Sequence, residues 1–125
     1  MSVTWGNGGL SIEMQFDKLM DDYSRELDEK VDKIASGVAT ATANKLRKHS
    51  PRGHGKKHYA DGWKKKRVGK RNYIVHNTTK PSLTYLLNNG HIKSNGTGSV
   101  PGDGHIDDAD EWASKEFVKR VEREL

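Results

Sequence analysis

The chain has 125 residues, a length that suits one domain spanning 1–125. Its hydrophobic fraction of 32% is lean for a self-sufficient globule, so either neighbouring subunits supply part of its stability or the monomer is partly disordered. Cysteine is absent, which excludes disulfides, thiolate metal sites and thiol nucleophiles and suits synthesis in a cytoplasm. No run of about 18 apolar residues exists to span a membrane. The net charge of +5 conceals a segregation: Lys45 to Arg71 holds twelve Lys/Arg and one acid, a net +11. The remaining segments hold ten bases and sixteen acids, a net −6.

Residues 1–16 read as an N-terminal arm, flexible or strand-forming. The arm lacks the basic-then-apolar order of a signal peptide. Ile12, Met14 and Phe16 alternate with polar residues, which predicts a short strand. From Asp17 the period changes. Met20, Tyr23, Leu27, Val31, Ile34, Val38 and Ala41 recur at three- and four-residue steps, one face of an amphipathic helix running to His49. Such a helix would be about 50 Å long. Asp17 can cap it, Asp21 and Asp22 suit its positive end, and Lys45, Arg47 and Lys48 suit its negative end. Ser50-Pro51 stops it. Gly37 is a weak spot within it.

Pro51 to His58 reads as a basic loop. Tyr59 to Val68 and Asn72 to Thr79 read as two strands joined at Gly69-Lys70-Arg71. In the first strand Trp63, Lys65 and Arg67 point one way, and Lys64, Lys66 and Val68 the other. In the second, Tyr73, Val75 and Asn77 oppose Ile74 and His76. Pro81 suits the first turn of a short helix with Leu83, Leu86 and Leu87 on its apolar face and Gly90 just past its end. Residues 92–104, with four glycines, read as a mobile loop. Asp107 to Leu125 is a last helix, with acids in its first turn and a stripe of Ala109, Trp112, Ala113, Phe117 and Val121. The expected class is α+β: a long N-terminal helix, a small antiparallel sheet built on a hairpin, a short helix and a C-terminal helix.

The chemical signal is the basic middle: Lys56, Lys57, Lys64, Lys65, Lys66, Arg67, Lys70 and Arg71. These residues suit phosphates, or an acidic face of a neighbouring subunit. Consecutive bases in a strand face both sides of the sheet, so they do not all address one duplex. No helix-turn-helix, finger or other reading module is evident. His54 and His58 are four apart, but sit among lysines that disfavour a cation. His105 with Asp107 and Asp108 lacks a third or fourth partner at set spacing. The acids from Asp107 to Glu111 are explained by the helix dipole, and no phosphate loop or nucleophile elbow occurs. The reading is therefore no enzyme, no metal and no cofactor.

Taken in order, Ser50-Pro51, Trp63 to Asn77, Leu83 to His91 and Pro101 to Trp112 resemble the tail completion or head–tail joining neck proteins of long-tailed bacteriophages. The resemblance spans roughly Val31 to Leu125. It departs at Pro51 to Gly62, where many relatives have a compact Pro-x-x-Thr-Gly turn and this chain has RGHGKKHYADGW. The resemblance implies a non-enzymatic virion protein at the head–tail junction, assembled in the host cytoplasm. Its expected partners are copies of itself in a hexameric or dodecameric ring, the head-closure, terminator and tail-tube proteins, and phage DNA through non-specific contacts in the channel. Asn95, Gly96, Val100, Pro101 and His105 are the candidate ring-contact loop. The alternatives are a terminator or head-closure role in the same neck, or a small free DNA-binding protein.

Overall fold

The computed structural model describes residues 2–6, 8–15, 25–52, 57–93, 96 and 98–124. In chain order the elements are β1 (Ser2–Gly6), β2 (Gly9–Gln15), α1 (Arg25–His49), α2 (Lys57–Asp61), β3 (Trp63–Gly69), β4 (Asn72–Asn77), α3 (Leu83–Asn89), β5 (Gly90–Ile92), β6 (Ser99–Pro101) and α4 (His105–Glu124). This is the expected α+β class.

The sheet is wider than a hairpin. Its order is β1-β2-β4-β3, and every pairing is antiparallel. The N-terminal arm supplies two of the four strands, so β3 and β1 form the edges. Register sets the core. Ile12 stands opposite Val75 and Met14 opposite Tyr73, so the apolar residues of two strands share one face. On β4 burial alternates, with Tyr73, Val75 and Asn77 buried and Asn72, Ile74 and His76 half-buried.

Helix α1 lies across the inner face, burying Val31, Ala35, Val38 and Leu46. Helix α4 packs beside it with Ile106, Ala109, Ala113 and Phe117, and also touches β1 and β2. The result is two layers, one sheet and one pair of helices, around a single core. Thr42 is buried within that core and satisfies its hydroxyl by donating to the Val38 carbonyl at 2.7 Å.

Several expectations change. The described part of the first helix begins at Arg25; Asp17 and its proposed cap, together with Phe16, Met20, Asp21, Asp22 and Tyr23, lie outside the described residues. The strand expected from Tyr59 starts only at Trp63, because Tyr59 to Asp61 belong to α2. An extended chain would hold residues 59 and 63 about 13 Å apart. The helical turn instead brings the two buried rings to 5.9 Å, edge-on. The buried face of α3 carries Thr84 and Asn88, while Leu83 and Leu87 are half-buried and Leu86 is exposed. Thr84 is selected because its hydroxyl accepts from the Leu10 amide at 2.8 Å and donates to the Pro81 carbonyl at 2.6 Å. Finally, the segment read as a loop contains β6, which pairs with β5 as a second, two-stranded sheet. Leu125, the last residue of the expected helix, is outside the described residues.

Candidate functional site

Alternation divides the basic strand into two populations. On the inner side, Trp63 is fully buried and donates its indole N–H to the buried Ser50 hydroxyl at 2.9 Å. Lys65 donates to the hydroxyls of Thr40 at 2.7 Å and Ser36 at 2.9 Å, and its ammonium stands 5.9 Å from the Tyr73 ring centre. Arg67 reaches the Asp32 carboxylate at 3.4 Å. Hydrogen bonding to Tyr73, then the charge of Asp32, pushes the Arg67 guanidinium further up its basic range. These two bases therefore hold the strand to α1.

Asp32 is the hub of that contact. Its carboxylate also accepts from the Arg71 amide at 2.8 Å and the Tyr73 hydroxyl at 3.2 Å. Arg71 sits in the turn with φ 63, and only 8% of its surface is exposed.

Lys64 and Lys66 stand on the other side of the sheet, opposite His76 and Ile74. Both are exposed, and neither makes a hydrogen bond or ion pair among the described residues. Among the described residues no helix covers this face. Lys66 is close enough to affect His76, whose imidazole is held below the usual histidine range by burial first and by that positive neighbour second. Lys70 is exposed at the hairpin tip, near Glu29 and Lys33. Lys56 lies outside the described residues, and Lys57 is described only as part of the α2 backbone.

The second motif, from the end of α3 to the start of α4, forms a joint. The buried Asn88 side chain accepts from the amides of Ile106 at 2.8 Å and Asp107 at 3.2 Å. It also donates to the Asp107 carboxylate at 2.9 Å. Asn88 thus caps α4 from another helix, satisfying amides that have no partner within their own turn. Gly90, at φ 90, lets the chain turn back beneath the Val100 carbonyl, where a side chain would collide.

His105 belongs to this joint. Its Nε2 is 2.6 Å from the Tyr59 hydroxyl and its Nδ1 pairs with the Asp103 carboxylate. Only 3% of its side chain is exposed. Burial, and then the nearby Asp103 charge, pushes the Tyr59 phenol well above its ordinary range, so Tyr59 stays neutral. His105 therefore ties α4 to α2 within the subunit, and little of its side chain is left at the surface. The other loop candidates differ. Val100 and Pro101 are exposed beside an apolar cleft of about 420 Å³ that Leu83, Leu86 and Leu87 help to line. Gly96 is exposed, and Asn95 lies outside the described residues. His54 also lies outside them, and His58 is exposed on α2; no metal-holding group of three or more His, Asp or Glu occurs among the described residues.

One charged surface went unread in the sequence. Lys30 and Lys33 on α1 meet Arg120 and Arg123 on α4 around a groove of about 430 Å³, with Ile34 and Glu124 completing its lining. The signal was present as two pairs spaced three residues apart, each on one helical face. Only the packing of α4 on α1 brings the pairs together.

The fold and its surfaces define a small α+β domain with two separated basic faces and a capped joint between its last helices. Residues 14–90, well over half of the chain, match the HK97-gp10-like family, described as "Bacteriophage HK97-gp10, putative tail-component". The chain belongs to this family of phage tail components, a structural family of the virion. The match takes in β3, β4 and α3 and stops at Gly90, before the second half of the Asn88 joint. Neither a curated protein nor a solved structure matches the chain. No helix among the described residues is long and apolar enough to cross a membrane.

Proposed function

We propose that this tail component works at the neck, completing the tail or joining it to the head as one subunit of a ring around the DNA channel. The observation that carries the reading is the open outer face of the sheet. Lys64 and Lys66 project there without a hydrogen-bond or ion-pair partner among the described residues, while Lys65 and Arg67 are committed to α1. In a ring with this face turned inward, the two lysines repeat around the lumen and meet phosphates without reading sequence. Each contact is weak and salt-sensitive, which suits DNA that must be held and then released. The exposed Val100 and Pro101 edge, with its apolar cleft, meets a neighbouring subunit or neck protein.

The test is a high-resolution electron-microscopy map of the neck in purified virions, compared with virions carrying Lys64→Glu and Lys66→Glu. The expected result is a ring at the head–tail junction with both lysines toward the channel, and loss of DNA retention in the double variant. A protein located elsewhere in the tail overturns the neck reading. Full DNA retention in the double variant overturns the role of the lysines. A terminator or head-closure position in the same neck shows in the same map, as contact with the tail tube or with the portal side.

A further inference from the structure

The α1–α4 groove is a built feature. Arg120 lies over Gly37, where an added Cβ would stand 3.2 Å from its guanidinium. Glycine inside a helix weakens it, and a side chain at position 37 would push the Arg120 guanidinium aside by a few tenths of an ångström. Glu116 accepts from Arg120 at 3.0 Å and fixes it further. That hydrogen bond, ahead of the surrounding positive charges, holds the Glu116 carboxyl below the usual carboxylate range. Lys30, Lys33 and Arg123 complete a cationic rim around the half-buried Ile34.

The groove is on the helix side of the molecule, and Lys64 and Lys66 are on the far face of the sheet. One duplex does not reach both. Glu124 on the rim and Glu116 beside Arg120 also make the groove mixed in sign, unlike a continuous phosphate track. The complementary surface is on the same chain. The first half of α4 carries Asp107, Asp108, Asp110 and Glu111 and no Lys or Arg. Asp107, Asp108 and Glu111 are exposed. Burial raises the Asp110 carboxyl above its usual range, and the Asp107 charge acts in the same direction to a smaller extent. At 1.5 Å per residue the two ends of α4 are about 30 Å apart.

We propose that the groove of Lys30, Lys33, Arg120 and Arg123 receives the acidic start of α4 from a second copy of this chain. The patches complement each other and not themselves, so the contact joins unlike surfaces; made once between each pair of neighbours, it is head-to-tail, the kind that closes into a ring. This rests on the ring reading above and names the surfaces that build it.

Sedimentation velocity of the purified full chain, over a range of concentration and salt, tests the contact. One variant is Lys33→Glu with Arg123→Glu, and the other is Asp108→Lys with Glu111→Lys. All four positions are exposed, and thermal melting checks folding. The neutral pair Lys33→Gln with Arg123→Gln is the second groove variant should the reversal not fold. Wild type is expected to self-associate, with association weakened by salt. Each reversal alone is expected to weaken it about tenfold or more. An equal mixture of the two reversals is expected to restore it, because every junction in an alternating assembly is then complementary. Three outcomes overturn the proposal: unchanged association in both reversals, no rescue in the mixture, or a wild type that stays monomeric. The groove is a phosphate surface if its reversal abolishes binding of a short duplex while self-association persists. None of these outcomes moves the protein in the virion map, so failure of the contact is separable from failure of the neck reading.

Discussion

The two faces of β3 come from one run of sequence and have opposite fates. Trp63, Lys65 and Arg67 face the helices and are held by Ser50, Ser36, Thr40 and Asp32. Lys64 and Lys66 face outward with no such partner among the described residues. The comparison teaches that a basic run is not one functional unit. In a strand, each step of one residue reverses the face, so fixing the register decides which charges are structural and which are displayed. Here the buried indole at Trp63 fixes it.

The sharpest way to break the comparison is at that indole. Trp63→Ala is expected to cost about 3–5 kcal/mol, read as a lowered midpoint in urea unfolding, because it empties a fully buried site and strips Ser50 of its donor. Asp32→Ala comes next, at about 1–3 kcal/mol, since the Arg71 amide and the Tyr73 hydroxyl lose their shared acceptor. An unfolding curve that does not move for Asp32→Ala would show that the hairpin tip is held by other contacts. Lys65→Ala is expected to cost less than about 1 kcal/mol, because its partners remain accessible to water. Lys64→Ala with Lys66→Ala should leave stability within about 0.5 kcal/mol. If the outer pair costs as much as Lys65→Ala, the division into two populations fails.

The smallest effect is a pH dependence on the outer face. The folded state holds His76 below its unfolded value. The unfolded chain therefore binds the proton first, and stability falls as pH drops from about 6.5 toward the lower folded value. Lys66→Ala removes the secondary cause and should shrink that fall, measured as Tm at pH 7.5 and pH 5.5 in variant and wild type. His76→Asn should remove this contribution.

Much of this was legible. The three- and four-residue period gave α1 from Val31 onward and the stripe of α4, from Ala109 to Val121. Period-two alternation gave the faces of β3 from Trp63 to Arg67, where an irregularity ends the simple alternation, and of β4, as well as the buried Ile12 and Met14 of β2. Gly90 was correctly read as the residue that ends α3. The family resemblance was also legible, although the matching residues 14–90 exclude most of the Pro/Gly/His segment that had carried much of it.

What the sequence by itself determined was therefore periodic: element type, buried face and the segregation of charge. These depend on neighbours one to four residues apart. Tertiary structure decided the rest, because each remaining feature joins residues far apart in the chain. Asn88 reads as a polar residue near a helix end, yet it caps a helix starting at His105. Tyr59 reads as a strand aromatic, yet its bond to His105 crosses 46 residues. Gly37 reads as a defect until Arg120 is seen lying over it. Local spacing cannot encode these meetings, since they exist only once packing brings the two partners within hydrogen-bond or van der Waals reach.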